Sequence, residues 1–302
     1  MKVVYGHTDS IYVQMPKHIA TGTVDLLNNH VRQLFPNLLE LDEHPVKLEF
    51  EKFYKTLGVG ITKNRNAGLV EWKDGQTLDE LEFVMTGFAA KRVAITPLAK
   101  KIQLTILKKW VNQTSEKEIT TYLRNEYNKI IMGKIDVNHI INRSRYRPER
   151  LQYKCSECSR EYGVSEAVAL HKRFTSNVFC MKCSVDLKLQ TLEGKQPSIG
   201  GGIEGVLWWN QTYDSDITDS YVYIRVADDS KRPSYINPVT GVSKRPTYIA
   251  APNMNLLPKL RPDLQHYATS IVKKAEPIYK AMNWDTNPIT NDLNQSQLSE
   301  WW

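Results

Sequence analysis

Two groups of residues in this sequence have the types and spacing to do chemistry. The first is Tyr5-Gly6-His7-Thr8-Asp9-Ser10. The apolar run Val3-Val4-Tyr5 leads into this Gly-containing turn, and the β-prone run Ile11-Tyr12-Val13 leaves it, so the segment reads as a β-hairpin with Asp9 near its tip. A carboxylate so placed can ligate a hard cation such as Mg²⁺. Taken alone, a turn Asp more often does no more than cap its own backbone. His7 is a poor ligand for Mg²⁺. The second group is Cys155-x-x-Cys158 and Cys180-x-x-Cys183, two pairs separated by 21 residues. Each such turn delivers two thiolates, and four close the tetrahedral shell of Zn²⁺, which makes the expected role structural. Four reduced, buried cysteines are the alternative. His171 is a possible substitute ligand that the set does not need.

These groups need elements to position them. The 302 residues suffice for one large or two medium domains with a real core. No apolar run approaches the roughly 20 residues that span a bilayer. Met1-Lys2 opens onto a strand, not onto a basic stretch followed by an apolar segment. The expectation is an intracellular, cytoplasmic protein with no membrane association, and in that compartment paired CxxC turns read as a metal site before a disulfide framework.

The net charge of +7 is uneven. Residues 86–150 hold 14 Lys and Arg against 5 Asp and Glu, while the remainder is slightly negative. Such a segment fits a polyanion, and backbone phosphate is the usual one. A solvated helix face would give the same count.

After the hairpin, Ala20, Val24, Leu27, Val31 and Leu34 recur at helical spacing, and Pro36 ends that helix. Val46, Leu48 and Phe50 alternate with charged residues, which predicts a strand over 46–51. A second hairpin is expected over 59–70, then a turn at Asp74-Gly75. Thr96 and Pro97 are the N-cap and first residue of a helix carrying Leu98, Ile102, Ile106 and Trp110 on one face. Ser115-x-x-Glu118 opens the next helix as a capping box, and Gly133 ends it. Gly200-Gly201-Gly202 lacks a following Gly-Lys-Ser/Thr and reads as a flexible turn. Trp208-Trp209 and Trp301-Trp302 could stack on bases, dock on a partner or fill a core. A last helix is expected over 262–283.

Five segments together resemble family B DNA polymerases, in that family's order: the Tyr5–Ser10 hairpin; Leu48-Glu49-Phe50-Glu51-Lys52; Thr62-Lys63-Asn64-Arg65-Asn66-Ala67-Gly68-Leu69; Thr86-Gly87-Phe88 through Lys91-Arg92; and Ile140 through Tyr153. The sequence departs from the family at His7, where an Asp is usual. It departs also at Asn64 and Asn66, where Lys and Tyr are, and at Arg92-Val93-Ala94, where Arg-Arg-Asp is. Neither a DxxSLYP motif nor a Lys-x-x-x-Asn-x-x-Tyr-Gly helix is present.

The resemblance implies an α+β fold. Residues 1–85 would be the C-terminal part of a polymerase palm, a β-hairpin, a helix and antiparallel strands. Residues 86–302 would be a mainly helical thumb, with 151–190 a zinc-ribbon-like insertion. Asp9 would be catalytic and bind Mg²⁺ shared with the missing half of the palm. Thr8, Lys63, Arg65, Lys91, Arg92, Arg143, Arg145 and Arg147 would contact primer-template DNA. Nucleotidyl transfer from a dNTP would need an N-terminal chain carrying exonuclease, fingers and the remaining palm. The alternative is a DNA-binding relic without catalysis, with His7 as its mark.

Overall fold

Turn chemistry sets the first half of the chain. In this computed structural model, which describes residues 1–6, 10–38, 40–62, 64–92, 95–174 and 178–290, strands β1 (Lys2–Gly6) and β2 (Ile11–Gln14) pair antiparallel as expected. A 3₁₀ turn leads into α1 (Ala20–Leu34). Strands β3 (Lys52–Val59), β4 (Asn66–Lys73) and β5 (Gln76–Thr86) form an antiparallel meander with β4 in the centre. Asp74 and Gly75 both have positive φ, 51° and 86°, the type I′ geometry that matches the twist of a hairpin.

Residues 46–51 are not a ladder strand; the strand starts at Lys52. The Asn28 side chain takes both backbone groups of Leu48, accepting its N–H at 2.7 Å and donating to its carbonyl at 2.8 Å. An amide from α1 thus stands in for a neighbouring strand. The apolar stripe of α1 is also less covered than its spacing suggests. Ala20 is buried, Leu34 is exposed, and so are Leu26 and Phe35 beside them.

Helix α2 (Pro97–Val111) starts as predicted, with the Thr96 hydroxyl accepting the Ala99 N–H at 3.2 Å. Helix α3 (Glu116–Ile131) starts at the Ser115 cap, whose hydroxyl accepts the Glu118 N–H at 3.4 Å, and stops at Gly133 with φ 68°. Beyond it come β6 (Asn142–Arg145), β7 (Leu151–Lys154), β8 (Glu161–Gly163), α4 (Val164–Phe174), β9 (Lys188–Thr191) and α5 (Gly201–Thr212). Strands β10 (Ser220–Arg225), β11 (Tyr235–Ile236), β12 (Ser243–Lys244) and β13 (Tyr248–Ala251) follow, then α6 (Leu264–Met282) and the single turn α7 (Asn287–Thr290). The chain is mixed α+β with antiparallel sheets. Among the described residues of 86–302 helix outweighs strand, and sheets β13-β10-β6 and β8-β7-β9 and the β11-β12 hairpin lie among the helices.

Contacts divide the chain into two units. The first comprises Met1–Phe88, Leu104–Thr121 and Ala275–Pro288, and the second the remaining described residues. In the first, the C-terminal half of α2 covers the meander. A Cβ on Gly58 would lie 2.4 Å from the Trp110 ring, so only glycine lets the indole lie on β3. The Thr56 hydroxyl donates to the Val111 carbonyl at 2.7 Å, satisfying a helix-end acceptor.

In the second unit α5 packs on β13. The Gly200–Gly202 segment opens this helix and is not a flexible turn. A Cβ on Gly201 or Gly202 would strike the Tyr248 or Tyr221 ring, and one on Gly205 would lie 2.8 Å from the Ala250 nitrogen. Trp208 and Trp209 are buried, so this pair belongs to the core and not to a stacking surface. Glu204, also on α5, is buried but fully engaged. It accepts from the Thr247 and Tyr248 amides at 3.1 and 3.2 Å, from the Tyr235 hydroxyl at 3.2 Å and from Lys244 at 2.7 Å.

Candidate nucleic-acid interface and metal centre

Three of the segments picked out by sequence converge in the first unit. The Tyr5 hydroxyl, on β1, accepts the Asn64 N–H at 3.0 Å and donates to the Asn64 side-chain oxygen at 3.1 Å. Asn64 sits in the turn between β3 and β4 with φ 62°, a left-handed conformation that Asn tolerates better than most residues. On the other side of this turn, Gly87 has φ 73°, and a Cβ there would lie 1.8 Å from the Asn64 carbonyl oxygen. One backbone turn is therefore gripped by the hairpin and by the segment that follows β5. Tyr12 of β2 extends the grip: its ring lies 5.4 Å from Tyr5 and 5.9 Å from Tyr54 on β3. Gly68 makes room for the Tyr54 ring, and burial pushes the Tyr54 hydroxyl above its ordinary pKa.

His7, Thr8, Asp9 and Lys63 lie outside the described residues, as do Val93, Ala94, Trp301 and Trp302. Described residues flank two of these stretches. Gly6 pairs with Ile11, so residues 7–10 connect the two strands. Arg65 follows the gripped turn and is half-buried.

In the second unit, Lys91 and Arg92 are exposed just after the 3₁₀ turn Ala89–Lys91. Arg143 and Arg145 are the exposed, alternating positions of β6, with Arg147 two residues beyond. Alternate residues of a strand stand about 6.6 Å apart, so β6 offers guanidinium groups in a row. Asn142 and Ser144 point to the other side. Tyr146, between the arginines, is buried and holds the row in place: its N–H donates to the Asp219 carbonyl at 2.7 Å. Its hydroxyl has no protein partner, and burial raises its pKa. Arg145 makes a loose, exposed ion pair with Asp219 at 3.8 Å.

The four cysteines come together: their sulfurs all lie within 4.8 Å of one another. Two turns of the same construction deliver them. The Cys155 carbonyl accepts from Ser159 N and the Cys155 N–H donates to the Arg160 carbonyl, at 3.1 and 3.0 Å. The Cys180 carbonyl accepts from Ser184 N and the Cys180 N–H donates to the Val185 carbonyl, both at 2.8 Å. Ser159 and Ser184 occupy equivalent left-handed positions, φ 58° and 55°. Four sulfurs from two matched turns fit a soft or borderline cation. His171 lies elsewhere, lining a cavity of about 130 Å³ with Tyr153, Asp186 and Lys188.

Sequence reasoning missed Tyr162. Its hydroxyl lies 3.3 Å from the Cys180 sulfur and accepts the Met181 N–H at 3.2 Å. Hydrogen bonding from this hydroxyl draws the Cys180 thiol down to about 6, while bonding to Cys158 and burial push Cys183 up to about 12. The only sequence signal was a tyrosine four residues after Cys158. The segment is not free-standing either: Leu189 N donates to the Pro238 carbonyl at 3.0 Å, and α4 packs on α5.

A sequence model of DNA polymerase family B matches residues 1–172. The DNA polymerase zeta catalytic subunit of Saccharomyces cerevisiae is 30% identical over 134 residues, which is 44% of this chain and 8% of that protein. The solved family B DNA polymerase of the archaeon Pyrobaculum calidifontis aligns over 97% of this chain and 27% of its own, with a TM-score of 0.43 and 17% identity. The chain thus spans a small part of the length of each. Among the described residues no helix is long and apolar enough to cross a membrane.

Proposed function

The chain belongs to DNA polymerase family B, and on that premise we propose that it is the C-terminal portion of a DNA-directed DNA polymerase. It supplies the last part of the palm, over residues 1–85, and the thumb, over 86–302. It needs an N-terminal chain with exonuclease, fingers and the remaining palm. The observation that carries this reading is the convergence of Tyr5, Asn64 and Gly87. Three separate family segments meet at one turn, as a duplex-tracking surface next to a catalytic hairpin requires.

Asp9 offers the hard oxygen that Mg²⁺ prefers. Bound there together with carboxylates of the N-terminal chain, Mg²⁺ would clamp the attacking and leaving oxygens of nucleotidyl transfer. The chain's own residues act before and around that step. The Tyr5–Asn64 pair fixes β1 against the β3–β4 turn, four residues before Asp9 in sequence. Arg65, Lys91, Arg92 and the β6 row of Arg143, Arg145 and Arg147 bind backbone phosphates, which positions duplex without reading its sequence. Thr8 and Lys63 would share this role on the family resemblance alone. Cys155, Cys158, Cys180 and Cys183 hold a structural Zn²⁺, which cross-links the two turns in a zinc-ribbon-like element.

The exposed apolar side chains of Val3, Val4, Ile11, Leu26, Leu34 and Phe35 support the need for a further chain, because a two-stranded hairpin and a half-covered helix are marginal alone. A DNA-facing protein of this kind works inside the cell. His7 favours a second reading, a relic that binds DNA without catalysis; both readings share the duplex-binding surface. The test of that surface is binding to duplexes of unrelated sequence. Affinity should be equal among them and should fall steeply between about 50 and 200 mM salt through counterion release. A flat salt response, or strong preference for one sequence, would remove the thumb assignment.

A further inference from the structure

Gln103 is a polar side chain in the core of the second unit, 2% exposed, on α2. Both ends of its amide are used. The side-chain oxygen accepts the Ala90 N–H at 2.6 Å, and the side-chain nitrogen donates to the Lys274 carbonyl at 3.0 Å. Its two partners lie on segments far apart in sequence. Ala90 belongs to the 3₁₀ turn that carries Lys91 and leads to Arg92; Lys274 lies in the middle of α6. Three residues beyond it is Pro277, whose missing N–H leaves the Lys273 carbonyl without its helical donor. The amide bonds the carbonyl one residue beyond that orphaned one.

The side chains carried by the two pinned segments are cations: Arg92 on one, Lys273 and Lys274 on the other. Lys274 is half-buried, Arg92 and Lys273 are exposed. Burial lowers the Lys274 pKa, and Arg92 and then Lys273 lower it further. No carboxylate offsets them: among the described residues none of the three has an ion-pair partner. The helix dipole does not account for the two lysines either, since they stand mid-helix and the last turn holds Lys280, already paired with Glu276 at 3.5 Å. A solvated charge run would spread its cations or pair them. Here a buried clasp ties together the two segments that carry them, an arrangement that becomes favourable when a polyanion covers it.

We propose that Arg92, Lys273 and Lys274 form a phosphate cradle, a further point of grip on the sugar-phosphate backbone of duplex DNA, assembled by the Gln103 side chain. This rests on the DNA-binding reading above. Gln103 is a positioning residue that touches no ligand. Lys273 and Lys274 are additions that the sequence pattern did not single out, because α6 reads as one more amphipathic helix.

The experiment is equilibrium binding of the full chain to a 20-base-pair duplex, by fluorescence anisotropy, across a series of salt concentrations. Each neutralised phosphate contributes about 0.9 to the slope of log affinity against log salt, so Lys273→Gln/Lys274→Gln should lower the slope by about 1.8. Lys280→Gln, on the same helix but outside the cradle, should leave it unchanged. Gln103→Leu removes no charge, yet should weaken binding and speed exchange of the Ala90 amide. A thermal melt without DNA separates a binding role from a structural one: because its surroundings disfavour the Lys274 charge, the double variant should melt at the same temperature or higher. A double variant that binds with the wild-type slope overturns the cradle and leaves the wider DNA reading standing. A double variant that melts lower and binds normally also overturns it, making the lysines merely structural. A wild-type chain that binds no duplex overturns both the cradle and the reading on which it rests.

Discussion

At the scale of single residues, Asn64 is the instructive case. In sequence it is a departure, an Asn where the family more often has Lys. In the structure its backbone takes a left-handed turn and its amide and side chain both bond Tyr5. Tyr5 and Asn64 are 59 residues apart, and no periodicity or turn rule links residues at that distance. Gly87 was legible only as part of a family segment; its physical reason is the Asn64 carbonyl beside it. The Gly87→Ala variant should therefore be costly, because it adds both a strained φ and a clash with backbone. The expected loss is about 2 kcal/mol or more, read as a shift of the urea midpoint; an unchanged midpoint would show that the turn is free to move. His266 gives a prediction in pH. Burial, and next the Arg225 charge, hold its pKa below 6.5 in the fold. The unfolded chain thus takes up the proton first. The stability present above pH 6.5 should decline as pH falls through the folded value, and His266→Gln should flatten that decline in a pH series of melts.

At the scale of elements, what could be read from sequence was local. The Asp74-Gly75 hairpin, the Thr96-Pro97 start of α2 and the Ser115 cap of α3 each depend on a few adjacent residues, and all three are in place. Helix α5 was not legible. It is buried over most of its length, so it has no polar face to create a helical period, and its glycines suggested a turn. The strand expected over 46–51 failed for the opposite reason: its alternation is real, but its backbone partner is a side chain, Asn28. The cysteine turns were legible by spacing alone. Their consequence for folding differs from what a short, core-poor segment would suggest, since Tyr153, Tyr162, Leu187 and Leu189 are buried there and Leu189 bonds Pro238. Zinc removal by chelation, or Cys155→Ser, should raise amide exchange over residues 151–190 and also over the β11–β12 hairpin joined to them. The α2 and α3 helices should keep their protection, because they bury their own apolar faces. Metal analysis of protein made with zinc supplied should give one Zn²⁺ per chain; a content near zero with four titratable thiols would refute the site.

At the scale of the whole molecule, the described residues form two units, and the sequence holds no DxxSLYP motif. Asp9 alone would be half of the proposed metal site. The helix expected to contact a nucleotide has no counterpart among the motifs present. Apolar residues are exposed on β1, β2 and α1, a surface we assign to a further chain. The order of the five family segments makes this legible in the amino-acid sequence. The sequence does not disclose how those segments meet, nor that a buried amide draws Arg92 towards α6, because both depend on contacts between distant residues. The central claim is that this chain completes a polymerase through Asp9. Primer extension tests it most directly, with the purified chain alone, with the chain mixed with a matching N-terminal polymerase chain, and with the same mixture carrying Asp9→Ala. The account predicts extension in the second reaction only, at a rate at least about a hundred-fold above the Asp9→Ala mixture, as loss of electrostatic stabilisation at a reacting phosphate implies. Extension by the isolated chain, or undiminished extension with Asp9→Ala, would contradict it.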